Sequence, residues 1–355
     1  MLVLYTFIGY PLFLAFLAMF KKKKAQDRPE YFPKVSLIIL AGNEQKNIKA
    51  KLDNCLSLEY PKENLEIIVA VIDSADNTRK KVEDYFSKGV KLLFQVEKKS
   101  SNMTVNAVVS EAKGEVVVIT DASSIIEKYS LKNMARHFVD KNVGLVAGNI
   151  EIANKDNNFL VSGEKAFLEF QRFIQLSSSK LRRVISVNPE LYALRKADFT
   201  NLKDDGVEAK TAVPIMYCYA NKTRLYEPLA QALKTINTKT KANLEGKLAA
   251  TQKALVSAKC IKELFRAKKY FTILQFISFE LLYGLFGVLL FAFFLCNLMV
   301  LGKPGYVVFL SLQFLFYVAG ALKISAFAYY VTFSAYAHVA GLGRLIKRER
   351  ENAKG

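Results

Sequence analysis

Tryptophan is absent from this 355-residue chain, and histidine occurs only at His137 and His338. Two histidines leave too little material for a histidine-rich zinc centre or a histidine-based catalytic triad. The four cysteines, Cys55, Cys218, Cys260 and Cys296, stand far apart, at spacings that fit neither a metal site nor a disulfide framework. No glycine-rich turn follows the first buried-strand pattern, so a dinucleotide-binding fold or a P-loop is not expected. Acidic residues are in deficit as well: 32 Asp and Glu face 51 Lys and Arg, for a formal net charge of +19. A balance this basic suits nucleic acid or an anionic surface. Lys and Arg cluster beside apolar runs, which favours a bilayer surface and sets nucleic acid aside as a partner.

Apolar residues, by contrast, make up 52% of the chain. Residues 1–20 read MLVLYTFIGYPLFLAFLAMF and are followed at once by Lys21 to Lys24. A signal peptide places its positive charge first and ends in small residues; this segment does neither. Residues 1–24 are therefore expected to be an uncleaved membrane helix with a basic stop on the cytoplasmic side. Residues 281–322 are expected to hold two transmembrane helices, 281–301 and 306–322, joined by a tight turn at Lys303, Pro304 and Gly305. Residues 241–280 read as a basic linker followed by interfacial helices, and 323–355 as an apolar or interfacial helix with a basic tail. These segments predict a multi-pass cell-membrane protein, with the lipid bilayer as a partner and the main domain, 33–240, on the cytoplasmic side.

The middle domain has the pattern of an α/β fold. Residues 35–40 (VSLIIL), 66–72 (EIIVAVI), 90–95 (VKLLFQ) and 115–120 (EVVVIT) are short apolar runs suited to strands buried on both faces. Helical segments lie between them, with Gly114 expected to stop the helix at 102–112. Such alternation predicts a mostly parallel sheet, whose ligands bind beyond the C-terminal ends of its strands. Asn43, Glu44, Asp73, Asp76 and Asp121 all fall at such ends. One acidic group there can take the edge of a base or ribose. Another can hold a hard divalent cation against a diphosphate and so offset charge on the leaving group. A helix-capping role competes with this for Asp76 more than for Asp73, and least for Asp121. Asn188 is a further candidate, on a segment placed to line a site.

The stretches PKVSLIILAGNE (33–44), LSLEYPKENLEIIV (56–69), EAKGEVVVITDASSIIE (111–127), KNVGLVAGNI (141–150), LYALR (191–195) and YEPLA (226–230) resemble membrane-bound family 2 glycosyltransferases. That group includes cellulose, hyaluronan and poly-N-acetylglucosamine synthases. The resemblance implies a glycosyltransferase A type domain, a nucleotide-sugar donor, Mg2+ or Mn2+, and a polysaccharide or glycolipid acceptor. It places the metal and diphosphate aspartate on Asp121 and the second polar position of that motif on Ser123. It puts Asn43, Glu44, Asp73 and Asn188 among the nucleotide-sugar contacts.

Several positions depart from the family pattern. Gly42 stands where the family has an aromatic residue before Asn-Glu. Ungapped matching puts Ile72 at the second strand's aspartate, with Asp73 one residue away. Ser100 and Ser101 replace Gly-Lys, leaving Lys98 or Lys99 to reach a diphosphate, and Pro189 stands beside Asn188 where the family has glycine. Counting back from Pro214 and from Tyr226-Glu227-Pro228 places the family's double aspartate on Ala209 and Lys210. An inverting enzyme needs a base for the acceptor hydroxyl. The nearest carboxylates are Glu208 and Asp205, with Asp204 beside them, so Glu208 and Asp205 are the candidate catalytic residues. Residues 245–253 are all that remains of a later arginine-rich motif, and the family's closing tryptophan is missing. Three readings stay open: an active but divergent membrane glycosyltransferase, a non-catalytic relative that binds or positions an active glycosyltransferase partner or a glycan, and a membrane scaffold without a glycan role.

Overall fold

A computed structural model describes residues 2–21, 30–96, 100–155, 158–237, 240–299 and 304–352. Lys22 to Lys24, Lys98, Lys99 and Lys303, singled out above, lie outside the described residues. The chain divides into two compact units. An α/β unit comprises Leu14–Ala153 and Arg172–Thr235, and a helical unit comprises Met1–Phe13, Asn154–Gln171 and Ile236–Gly355.

Eight strands build the α/β unit: β1 (Val35–Ala41), β2 (Leu65–Ile72), β3 (Val90–Val96), β4 (Val116–Asp121), β5 (Ser124–Ile126), β6 (Val143–Ile152), β7 (Leu191–Arg195) and β8 (Thr223–Lys234). They form one sheet in the order β3-β2-β1-β4-β7-β6-β8-β5. The first four expected strands are present, and β3, β2, β1 and β4 run parallel. Beyond β4 the sheet is mixed rather than parallel: β7 is antiparallel to both β4 and β6, β6 and β8 are parallel, and β5 is antiparallel to β8.

The apolar runs do what their composition dictates. Leu37, Ile38 and Ile39 of β1 are fully buried, as are Val116, Val117 and Ile119 of β4. Each such side chain contributes about 1.5–3 kcal/mol of burial. The core joins Ile38, Ile68, Val117 and Ile119 to Val105 and Val108 of the helix Ser101–Glu111, and to Tyr217 of the helix Ala209–Tyr219. Gly114 does not end its helix in a left-handed cap. The helix stops at Ala112, in extended backbone, and a Cβ on Gly114 would lie 2.5 Å from the backbone nitrogen of Ser36. Close approach of two strands, not turn geometry, demands glycine there.

In the helical unit, the expected uninterrupted span 281–301 is broken. Tyr270–Gly284 and Phe286–Met299 meet at an angle of 70°. A π-helical segment, Phe276–Leu281, precedes the break, and Leu285 leaves helical geometry. Pro304 and Gly305, expected in a turn, instead open a helix that begins at Pro304, where a proline costs no hydrogen bond, and runs to Ala321. Residues 326–352 form one continuous helix, and the basic segment read as a linker holds two helices, Thr240–Ser257 and Lys259–Arg266. Phe7, Phe167, Tyr283 and Phe286 form an aromatic cluster, with Phe167 and Tyr283 stacked at 4.6 Å. Among the described residues no single helix is long and apolar enough to cross a membrane; the bent pair passes only when its halves are taken together.

Candidate functional site

β1, β2 and β4 are neighbours, so the loops at their C-terminal ends form one rim. Asn43 and Glu44 follow β1, Asp73 and Asp76 follow β2, and Asp121 closes β4. The first two loops are laced together. The Asn43 side-chain oxygen accepts the Ala75 N–H at 2.9 Å, and the Glu44 N–H donates to the Thr78 hydroxyl at 2.8 Å. Asp76 is the hub. It accepts the Gln45 N–H at 3.0 Å, the Ser74 hydroxyl at 2.8 Å and the Thr78 N–H at 2.9 Å, as well as the Thr78 hydroxyl. Desolvation pushes the Asp76 carboxyl up, but these hydrogen bonds outweigh it and hold the group well below the usual carboxylate range. A carboxylate engaged this fully has little capacity left for a ligand.

Asp73 is the opposite case. It is exposed, sits in left-handed backbone at φ 44°, and its carboxylate has no partner among the described residues. Holding a non-glycine residue there costs on the order of 1 kcal/mol, the kind of strain that gathers at ligand sites. The Glu44 carboxylate accepts from the Asn47 side-chain amide at 2.7 Å.

Asp121 is half-buried. One of its oxygens, Oδ1, accepts the Ser123 N–H at 2.8 Å and the Ser123 hydroxyl at 2.5 Å. Oδ2 has no hydrogen bond among the described residues. No cluster of three or more His, Cys, Asp or Glu side chains that could hold a metal occurs among the described residues, so the protein alone builds no closed cage. Mg2+ and Mn2+ do not need one: they are commonly held by one or two carboxylates plus substrate phosphates and water. Asp121 Oδ2 with Ser123 beside it fits that donor set.

Beneath this turn lies a group that the sequence argument passed over. Lys51, on the helix Ile48–Leu56, is fully buried. Its ammonium donates to the Thr120 hydroxyl at 2.7 Å, the Ser124 carbonyl at 2.8 Å and the Ser124 hydroxyl at 3.2 Å. Burial pulls its pKa down to about 8, against the opposing pull of Cys55 and Asp121. The signal was in the periodicity: positions 48, 51, 52 and 55 form the buried stripe of this helix, and a lysine stands among Ile48, Leu52 and Cys55.

The second group of candidates gathers at the start of the helix Ala209–Tyr219. Glu208 immediately precedes it, and its carboxylate lies 3.7 Å from the Lys210 ammonium. The Val187 N–H donates to the Lys210 carbonyl at 3.1 Å, which places Asn188 next to this helix start. The Asp205 carboxylate accepts the Val207 N–H at 3.0 Å within its own exposed turn. Ala209 is buried, and its N–H donates to the Ser101 hydroxyl at 3.0 Å. Ser101 thus ties two helices together where a diphosphate-facing lysine was expected. The Tyr-Glu-Pro segment is structural as well. Tyr226 donates to the Asn149 side-chain oxygen at 2.7 Å, and buried Glu227 meets His137 Nε2 at 2.6 Å and Arg136 at 3.0 Å.

Comparison with known proteins agrees with this architecture. Residues 36–199 match the family described as Glycosyl transferase family 2. A probable glycosyltransferase, YdaM, of Bacillus subtilis is 29% identical over 143 residues, 39% of this chain and 34% of that protein. The UDP-Glc:alpha-D-GlcNAc-diphosphoundecaprenol beta-1,3-glucosyltransferase WfgD of Escherichia coli is 30% identical over 127 residues, 36% of this chain and 49% of that one. The poly-beta-1,6-N-acetyl-D-glucosamine synthase of Staphylococcus epidermidis is 31% identical over 127 residues, 35% of this chain and 30% of that one. The matches thus span between 30% and 49% of these relatives. A mannosyltransferase from Pyrobaculum calidifontis, solved in complex with GDP-Man and Mn2+, superposes with a TM-score of 0.71 over 96% of both chains at 20% identity, which shows a shared glycosyltransferase fold.

Proposed function

We propose that this protein is a membrane-held glycosyltransferase that binds a nucleotide sugar across the ends of β1, β2 and β4, in the synthesis of a cell-surface polysaccharide or glycolipid. The observation that carries this is the pairing, on one rim, of two carboxylates with free coordination capacity, Asp73 and Asp121 Oδ2. Asp73 contacts the nucleoside. Asp121 would hold Mg2+ or Mn2+, which when bound would supply charge neutralisation for a departing diphosphate. Glu208, rather than Asp205, is the base for the acceptor hydroxyl, because Asp205 is engaged by its own turn. Asn188, beside the start of the helix that follows Glu208, is a further nucleotide-sugar contact.

Large apolar side chains turned away from the protein support a bilayer around the helical segments. Leu12, Phe309 and Leu315 are each 61% exposed, and Met299 is 86% exposed. Side chains of this kind, repeated along several helices, are costly in water and ordinary in lipid. Helices somewhat short of the roughly 20 residues of a full span are accommodated by bending or by local thinning of the bilayer. The lysine run after the first helix sets the α/β unit on the cytoplasmic side.

A second reading rests on Ala209 and Lys210. With no carboxylate at the matched base positions and a cation beside Glu208, the protein binds a donor or glycan without turning it over and works beside a catalytic glycosyltransferase. One experiment separates the two: a panel of nucleotide sugars supplied to the full chain in lipid, with membrane-extract acceptors. Turnover that falls 10²–10⁴-fold in Glu208→Gln supports the enzyme. Donor binding without turnover supports the non-catalytic partner. No donor binding, in any metal, removes the enzyme and leaves the non-catalytic reading only if a glycan or a catalytic glycosyltransferase binds.

A further inference from the structure

Buried lysines are rare unless paired with a carboxylate. Lys51 is fully buried, and the three hydrogen bonds its ammonium makes all go to neutral acceptors, the Thr120 hydroxyl and the carbonyl and hydroxyl of Ser124. These acceptors bracket Asp121 in sequence, on the strand end and turn that present it. The arrangement is held firmly. The Thr120 hydroxyl donates onward to the Glu190 carbonyl at 2.7 Å. The Asn54 side chain grips the backbone of Ile126 in β5 with two hydrogen bonds of 2.8 Å each. The titratable groups near the ammonium are the thiol of Cys55, on the same helix, and the Asp121 carboxylate. A turn that needed only hydrogen-bond donors would be served by a neutral side chain, without the cost of burying a charge.

We infer that Lys51 is a positioning residue that places a fixed positive charge beneath the Asp121 turn, attracting the diphosphate of the donor while opposing the divalent cation at the same carboxylate. The inference rests on the nucleotide-sugar reading of the rim. The charge acts through protein rather than water, where its reach is long. It supplies part of the neutralisation that a cation would otherwise supply, at a position where Ser123 offers no second carboxylate.

Two arms of one binding experiment test this, with the full chain in lipid nanodiscs. The first measures UDP and GDP affinity in EDTA, and the second measures Mn2+ affinity without nucleotide. Lys51→Met removes the charge and keeps the size. Lys51→Gln removes the charge and keeps hydrogen-bond donors, and serves if the methionine variant does not fold. For either variant, nucleotide binding in EDTA weakens and Mn2+ binding tightens, each by roughly 3- to 30-fold, the effect of a unit charge several ångströms away at a protein's effective dielectric. The opposite signs are the signature of charge. A turn that was merely loosened would weaken both, and that outcome, or no change in either arm, overturns the inference. In Asp121→Asn the Mn2+ effect of the Lys51 substitution should shrink. If the unsubstituted protein binds neither UDP nor GDP with or without Mn2+, the nucleotide reading itself fails, which is a different result from binding that ignores Lys51.

Discussion

Asp73 and Asp76 lie three positions apart on one loop and are engaged in opposite ways. The several hydrogen bonds that Asp76 accepts make it part of the scaffold, whereas Asp73 faces out with its carboxylate unengaged among the described residues. Asp73→Asn is expected to weaken nucleotide binding several-fold with the melting temperature unchanged, while Asp76→Ala lowers the melting temperature and weakens binding only in consequence. Calorimetric titration and thermal unfolding of both variants check this. Glu227 gives a pH signature. Burial raises its carboxyl pKa, but the hydrogen bonds and charges of His137 and Arg136 and the Leu229 N–H overcome that and leave it depressed. A depressed acid stabilises the fold above its unfolded pKa, and this contribution is lost as pH falls through the lower folded value. Stability should therefore decline below about pH 4, and that part of the decline should be missing in Glu227→Gln. At neutral pH the same substitution should cost about 3 kcal/mol, since it leaves Arg136 without its buried partner. Chemical denaturation at several pH values reads both effects.

Among the elements, the approach of Gly114 to β1 is a tight point to probe, because the obstacle is backbone. A Cβ there meets the backbone of Ser36 and Lys34, which cannot swing aside as a side-chain tip would. Gly114→Ala is expected to cost about 1–3 kcal/mol, the usual range for an overfilled site. Gly89→Ala, with open space but φ 83°, should cost less, and denaturant midpoints of the two variants settle the order. Gly114 also shows why some elements were legible and others were not. A lone glycine after a helix looks the same whether it caps the helix or yields to a neighbouring strand, and only the partner strand distinguishes them. The runs VSLIIL and EVVVIT announced β1 and β4 because both faces are buried. β8 did not announce itself. Its sequence TRLYEPLAQALK mixes charge, proline and glutamine, and its pairing with β6 shifts register between Gly148 and Asn149. β5 is only three residues long and exists because β8 offers it an edge. Family spacing pointed to Asp121 and put the base positions on Ala209 and Lys210, leaving Glu208 only as the nearest carboxylate, whereas Lys51 looked like one more lysine in a basic chain until its burial was known.

For the whole molecule, the bilayer proposal has a native probe. Cys55, Cys218 and Cys260 are buried, and Cys296 is exposed on the helix Phe286–Met299. In sealed vesicles Cys296 should react with a lipid-soluble maleimide and resist a charged, membrane-impermeant one. Rapid labelling by the charged reagent would place this helix in water. Cysteines introduced at residues 21–30 should stay unlabelled from outside intact cells, and labelling there would reverse the orientation.

The chain visits the helical unit three times, at its start, in the middle and through its last third. On the ribosome this imposes an order of events. The final strand of the sheet has been made once Lys234 emerges, while most of the helical unit is still unmade. The first and middle contributions to that unit must wait for their partners until the last third of the chain has been made. A frameshift after residue 240 would then leave the first and middle contributions without the greater part of their unit.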